Sequence, residues 1–435
     1  MTSGLKQYSF LGIFAAVSAL GPATAEARQA MPQSADCIEC HQELDEERLW
    51  RPAVDFPIDV HARSGFGCLS CHGPDPTGAS SAIDSSLGFL SKPSRVRVSN
   101  MCGRCHSNVQ FMRNYNPSMR VDQLAEYASS VHGQRMAENE DPNVATCATC
   151  HPAHRILPPT DQRSSVHPLN VSETCGACHA DSNHMAGYDV STDQKDLYEQ
   201  SIHWQWMVEQ EDFSAPTCND CHGNHGAAPP GVGSVHNVCG QCHSIMYDFF
   251  ESSLHGDLFA QEGLPGCATC HDNHDIVKTD DDLLVEMNDS VCRQCHTEGD
   301  AGWNGFREMA HLIDSLENAL EQSNILLEEA EQLGMEVSQA QFDLEDVTNA
   351  LVKARTAIHA FAVDSVLTEI QLGIASTELG TERGQAALDE HMFRRQGLAV
   401  SVALILFLVT GIVLLIRQIE RPQPTGFGAS YNHQR

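Results

Sequence analysis

The chemistry-bearing residues of this chain are its eighteen cysteines, and all of them are spent in one repeated pentad, C-x-x-C-H. The pairs are Cys37/Cys40, Cys68/Cys71, Cys102/Cys105, Cys147/Cys150, Cys175/Cys178, Cys218/Cys221, Cys239/Cys242, Cys267/Cys270 and Cys292/Cys295. Each is followed at once by a histidine: His41, His72, His106, His151, His179, His222, His243, His271 and His296. At this spacing two thiols add to the vinyl groups of a haem and the adjoining imidazole reaches its iron as proximal ligand. Zinc sites and disulfide frameworks also use cysteine pairs, but neither calls for a histidine after every second cysteine. The pattern therefore implies nine covalent c-type haems.

A second set of histidines recurs in register with the pentads. Asp59-Val60-His61, Ser130-Val131-His132, Ser201-Ile202-His203 and Ser253-Leu254-His255 each precede a pentad. Three of those pentads continue as C-H-x-x-H, giving His154, His225 and His274; the first has Asp75 at that place. This reads as four two-haem units behind one leading haem at Cys37. A haem iron with two protein ligands shuttles electrons, whereas an open position binds substrate. The seven recurring histidines are the candidate distal ligands. For the remaining two irons the C-terminal segment offers His311, His359 and His391, with His359 and His311 preferred. His167 and His236 also align, but Arg97 holds their place in the first unit, which an iron ligand would not permit. Met112 and Met185 are rival ligands for the second haems of the first two units.

These side chains must be held by a chain with little core of its own. Fewer than thirty residues per haem separate residues 37 and 296, so the porphyrins must supply much of the packing, in line with only 6% aromatic residues. The expectation is a mostly helical and irregular fold that depends on haem. Beyond His296 there is no cysteine. Leu312, Leu316, Ala319, Leu326 and Ala330 recur at helical spacing, as do Leu344, Val347, Leu351, Ala354, Ile358 and Phe361. Gly334 and Gly373 read as helix stops. Residues 301–396 should then form two or three long helices packed on one another and on the last haems, with a free coiled coil as the alternative.

The ends suggest an exported, anchored protein. Lys6, the apolar run 10–20 and Ala23-Thr24-Ala25 have the form of a signal peptide, residues 1–25, with cleavage after Ala25 or alternatively Ala27. The haem-bearing domain is 26–300. Residues 398–416 carry no charge and lie between Arg394, Arg395 and Arg417, which predicts a membrane span over 397–417 and a cytoplasmic tail, 418–435. A formal charge of −32 argues against nucleic acid as a partner.

The arrangement resembles periplasmic multihaem c-type cytochromes with CxxCH/CHxxH repeats, over residues 37 to about 395. The resemblance implies electron transfer at the periplasmic face of the inner membrane, with a quinol-oxidising or cytochrome b-type donor or a periplasmic redox partner. That group also includes cytochrome c nitrite reductase-like and hydroxylamine oxidoreductase-like enzymes. The alternative is accordingly a reductase of small nitrogen or sulfur oxyanions with one five-coordinate haem. The lysine that nitrite reductase-like members typically carry in place of one proximal histidine is absent from all nine pentads.

Overall fold

The computed structural model describes residues 35–73, 88–229, 235–285 and 290–421. The expected signal peptide and most of the tail lie outside them. No strand occurs among the described residues, and the fold is mostly helical. The chain forms two compact units, Met1–Pro229 and Pro230–Arg435. The first carries six pentads and the second carries three together with the long helices.

The first unit is built from short helices whose starts are dictated locally. In Ser-x-His the serine is an N-cap: Ser130 Oγ accepts from the Gly133 amide at 3.0 Å, and Ser201 Oγ from that of Trp204 at 3.3 Å. The caps open helices Val131–Asn139 and Ile202–Glu209, placing His132 and His203 at the second helical position. Two of the second pentads instead end twelve-residue helices, Arg95–His106 and Pro168–His179. One helical turn sets cysteines three apart on a common side, with the histidine next in line. The glycine after the first cysteine lies close against a neighbouring side chain. A Cβ would meet the Leu124 side chain at 2.3 Å from Gly103, and that of Lys195 at 2.3 Å from Gly176.

The second unit repeats the device, with Ser253 capping Leu254–Glu262. Its core is a three-helix assembly. The first long helix, Ala301–Gln332, stops before Gly334 at φ +79°, as its sequence predicts. The second, Ser338–Ala357, ends in a 3-10 turn, Ile358–Ala360, and Phe361 adopts a left-handed conformation at φ 51°. The stripe read from Leu344 to Phe361 thus bends at its end, and the bend carries His359. The third, Val363–Ile419, returns along both. Ile313, Leu316, Leu327, Val347, Ala354 and Val366 are fully buried between them. Cys292 packs on this core, so the last pentad is joined to the helices.

Gly373 corrects the sequence reading. It lies inside the third helix and stops nothing. The missing side chain admits a close helix crossing: a Cβ there would stand 2.6 Å from Leu316 Cδ2 and 3.3 Å from Ala350 Cβ. The same helix runs without a break through 396–397, at 57 residues about 85 Å long. Its last third is apolar and none of it is buried, so this helix is long and apolar enough to cross a membrane.

Candidate haem-ligand sites

The pentad cysteines lie at or near the protein surface. The second cysteines Cys40, Cys71, Cys221, Cys242 and Cys295 are exposed, and the other pentad thiols are half-buried. Cys221 sits in the single turn Cys218–His222, and Cys242 follows the end of the six-residue helix Val235–Gly240. Exposure does not disqualify Cys221 or Cys242, because a thioether forms at the rim of the macrocycle and an accessible thiol is the one a vinyl group can reach.

Four of the nine proximal histidines are oriented through Nδ1. That atom of His41 lies 2.8 Å from the Leu49 carbonyl oxygen, and that of His72 lies 2.6 Å from the Leu90 carbonyl oxygen. His222 meets the Ala228 carbonyl at 3.4 Å, and His296 the Asp300 carboxylate at 3.3 Å. With Nδ1–H donated, the lone pair is left on Nε2, the atom a metal takes.

Six of these rings face a second histidine ring. An imidazole nitrogen sits about 2 Å from a coordinated metal, so rings on opposite sides of one iron have nitrogens about 4 Å apart and centroids roughly 6 Å apart. The observed centroid separations are 6.0 Å for His106 with His61, 5.8 Å for His72 with His154 and 6.1 Å for His179 with His132. They are 6.3 Å for His151 with His225, 6.0 Å for His296 with His255 and 6.0 Å for His271 with His359. The Nε2 atoms of His72 and His154 are 3.5 Å apart. Among the described residues no cluster of three or more histidine, cysteine or acidic groups could hold a bare ion. Paired imidazoles beside paired thiols fit a planar tetrapyrrole that supplies the other four ligand atoms.

Burial pushes the imidazoles of His106, His132, His151, His154, His179, His225, His255, His271 and His359 below the usual histidine range, and neighbouring histidines push several of them further. The neutral ring is the form that binds iron.

The pairs follow a register that the sequence does not show. A histidine of the Ser-x-His kind faces the second pentad of its own unit: His61 faces His106, His132 faces His179 and His255 faces His296. A histidine of the C-H-x-x-H kind faces the first pentad of the preceding unit: His154 faces His72 and His225 faces His151. The last first pentad, at His271, has no following unit, and His359 takes that role from the helical bend. Its Nδ1 is 3.0 Å from the Thr356 carbonyl oxygen. His203 and His274 hold the two recurring positions in the third and fourth units.

Other candidates fall elsewhere. His311 is exposed on the first long helix, and no described histidine ring faces it. His167 is a helix cap, its Nδ1 accepting from the Leu169 amide at 3.3 Å. His236 pairs with Glu251 at 3.1 Å. Met112 is buried, and its haem's pentad histidine, His106, already faces His61.

The pentads also touch in chain order. Thiol contacts join Cys37 to Cys68, Cys102 to Cys147, Cys175 to Cys218 and, in the second unit, Cys239 to Cys267. Between these, second cysteines lie within electrostatic range: Cys71 of Cys105, Cys150 of Cys178, and Cys270 of Cys292 and Cys295. The close pairs therefore straddle the sequence units, and the leading pentad is half of one.

Asp59 is a buried carboxylate beside a candidate ligand, a contact that spacing alone did not reveal. It is 1% exposed and accepts from the amides of His61 and Ile156 and from His61 Nδ1, at 2.8, 2.6 and 2.9 Å. Burial alone would raise its pKa, but these hydrogen bonds outweigh that and hold it below the usual carboxylate range. The signal was the aspartate standing where three other units have serine. A carboxylate on the ligand imidazole makes that ligand more basic and favours ferric iron. Asp59→Ser should therefore raise the potential of the Cys102/Cys105 haem. A threefold to tenfold loss of ferric preference corresponds to roughly 30–60 mV, readable by redox titration against the unaltered protein.

The doubled CXXCH motif family matches residues 259–301, which contain the last two pentads. No curated protein and no solved structure matches the chain. The motif match and the paired ligands support a multihaem protein of the c-type cytochrome kind that binds haem covalently.

Proposed function

We propose that this chain is a membrane-anchored electron-transfer protein, exported to the periplasmic face of the inner membrane, in which nine covalent haems form one conducting series. Eight irons have two histidine ligands: the six facing pairs above, and two completed by His203 and His274, which are assigned from their repeat positions. The observation that carries the reading is the facing of six pentad histidines by a second histidine at the spacing an iron requires. Haem supplies the one-electron chemistry when bound. The chain's residues fix the axial ligands, keep their imidazoles neutral and bring successive pentads together. The anchor keeps the series beside a quinol-oxidising or cytochrome b-type donor, and the acidic surface suits a basic soluble acceptor.

Stopped-flow re-oxidation of the fully reduced protein by a soluble oxidant tests conduction. All haems should empty in connected phases. Loss of the third haem through Cys102→Ala with Cys105→Ala should slow part of the series severalfold. If the other eight haems empty at unchanged rates, they do not conduct through that site.

A further inference from the structure

We propose that the iron of the Cys37/Cys40 haem has no histidine as sixth ligand, and that this position takes a small exchangeable ligand of the carbon monoxide or cyanide class. The inference rests on the nine-haem reading above and assigns one of its sites a separate property.

Two observations meet at this haem. The first is the register. The distal histidine of a first-pentad haem comes from the C-H-x-x-H position of the next unit, as His154 serves the haem of His72 and His225 that of His151. For the leading haem that donor would stand three residues after His72, where the chain has Asp75. His61, the one histidine between the first two pentads, already faces His106.

The second observation is geometric. His41 is oriented like the other proximal ligands, with Nδ1 on the Leu49 carbonyl. Its ring nevertheless meets no other histidine ring among the described residues, unlike the six paired pentad histidines. The C-terminal end of the series faced the same shortage, and His359 makes it good. Among the described residues His41 has no such counterpart.

The site is also supplied with electrons and open to solvent. Cys37 touches Cys68, so the leading haem adjoins the second. Its short helix Ala35–Gln42 has no buried residue, and Cys40 is exposed. A ligand on this iron would exchange with solvent while its electrons came along the haem series.

The test uses the full-length, haem-loaded protein. The electron paramagnetic resonance spectrum of the oxidised form should show one high-spin iron in nine. Optical titration of the reduced form should take up one carbon monoxide per chain. Cys37→Ala with Cys40→Ala should remove both signals together with one haem. Asp75→His should abolish carbon monoxide uptake while all nine haems remain, because it restores the donor the register lacks. A wholly low-spin protein that takes up no carbon monoxide would overturn the inference, as when Met31 or the chain's amino terminus supplies the ligand. So would signals that survive the double cysteine substitution. Undiminished uptake in Asp75→His would overturn the assignment of the missing donor to position 75. A covalent haem count below nine would instead tell against the proposed function itself.

Discussion

His359→Ala should turn one low-spin iron high-spin while leaving every haem attached. The imidazole of His359 faces His271 at 6.0 Å, and no later repeat unit exists to replace it. The thioethers to Cys267 and Cys270 do not depend on the sixth ligand, so intact mass should not change beyond the substitution. One ninth of the haem absorbance should shift, and a high-spin resonance should appear beyond that of the leading haem. Added imidazole should reverse it, because the vacated position then accepts a free ring. A low-spin spectrum identical to that of the unaltered protein would make His359 a packing residue, and the donor to the Cys267/Cys270 haem would have to be found elsewhere.

Removal of residues 397–435 should release the protein from membranes without loss of haem. In the structure Leu404, Phe407 and Leu414 are 60%, 76% and 60% exposed on the third long helix, and no protein covers the apolar stretch around them. Exposing such side chains to water costs about 1.5–3 kcal/mol each, so a helix so long and so apolar is suited to a membrane anchor. The core residues that hold the three helices together, from Ile313 to Ile370, all lie before the cut. Fractionation after expression should find the shortened chain soluble, with the visible spectrum of the full protein. A shortened chain that still sediments with membranes would mean that other contacts anchor it.

Much of the site was legible because covalent haem attachment is a local chemical requirement. Two thiols and an imidazole must lie within five residues, so spacing alone identifies them. How far each thiol is enclosed was not legible: Cys221 and Cys242 share their spacing with half-buried Cys150 and Cys178, and spacing does not encode which neighbours pack beside each. The recurring histidines were legible because a serine cap and a one-turn helix reproduce the same local geometry in each copy. Which iron each histidine faces was not. His154 meets His72 across 82 residues through the packing of one sequence repeat on the next, and no local pattern encodes that. His359 could be singled out from the edge of an apolar stripe, but the bend that presents it arises from the left-handed Phe361 and the turn before it. Gly373 misled because a glycine that ends a helix and one that admits a neighbouring helix look alike in sequence. Only the proximity of Leu316 and Ala350 separates the two.

Whether every pentad carries a haem can be read from the intact mass of the purified protein. A chain beginning near Glu26 with nine haem additions is expected. A mature protein carrying seven or fewer would contradict it, because some pentads would then lack haem and the series of ligand pairs would be interrupted.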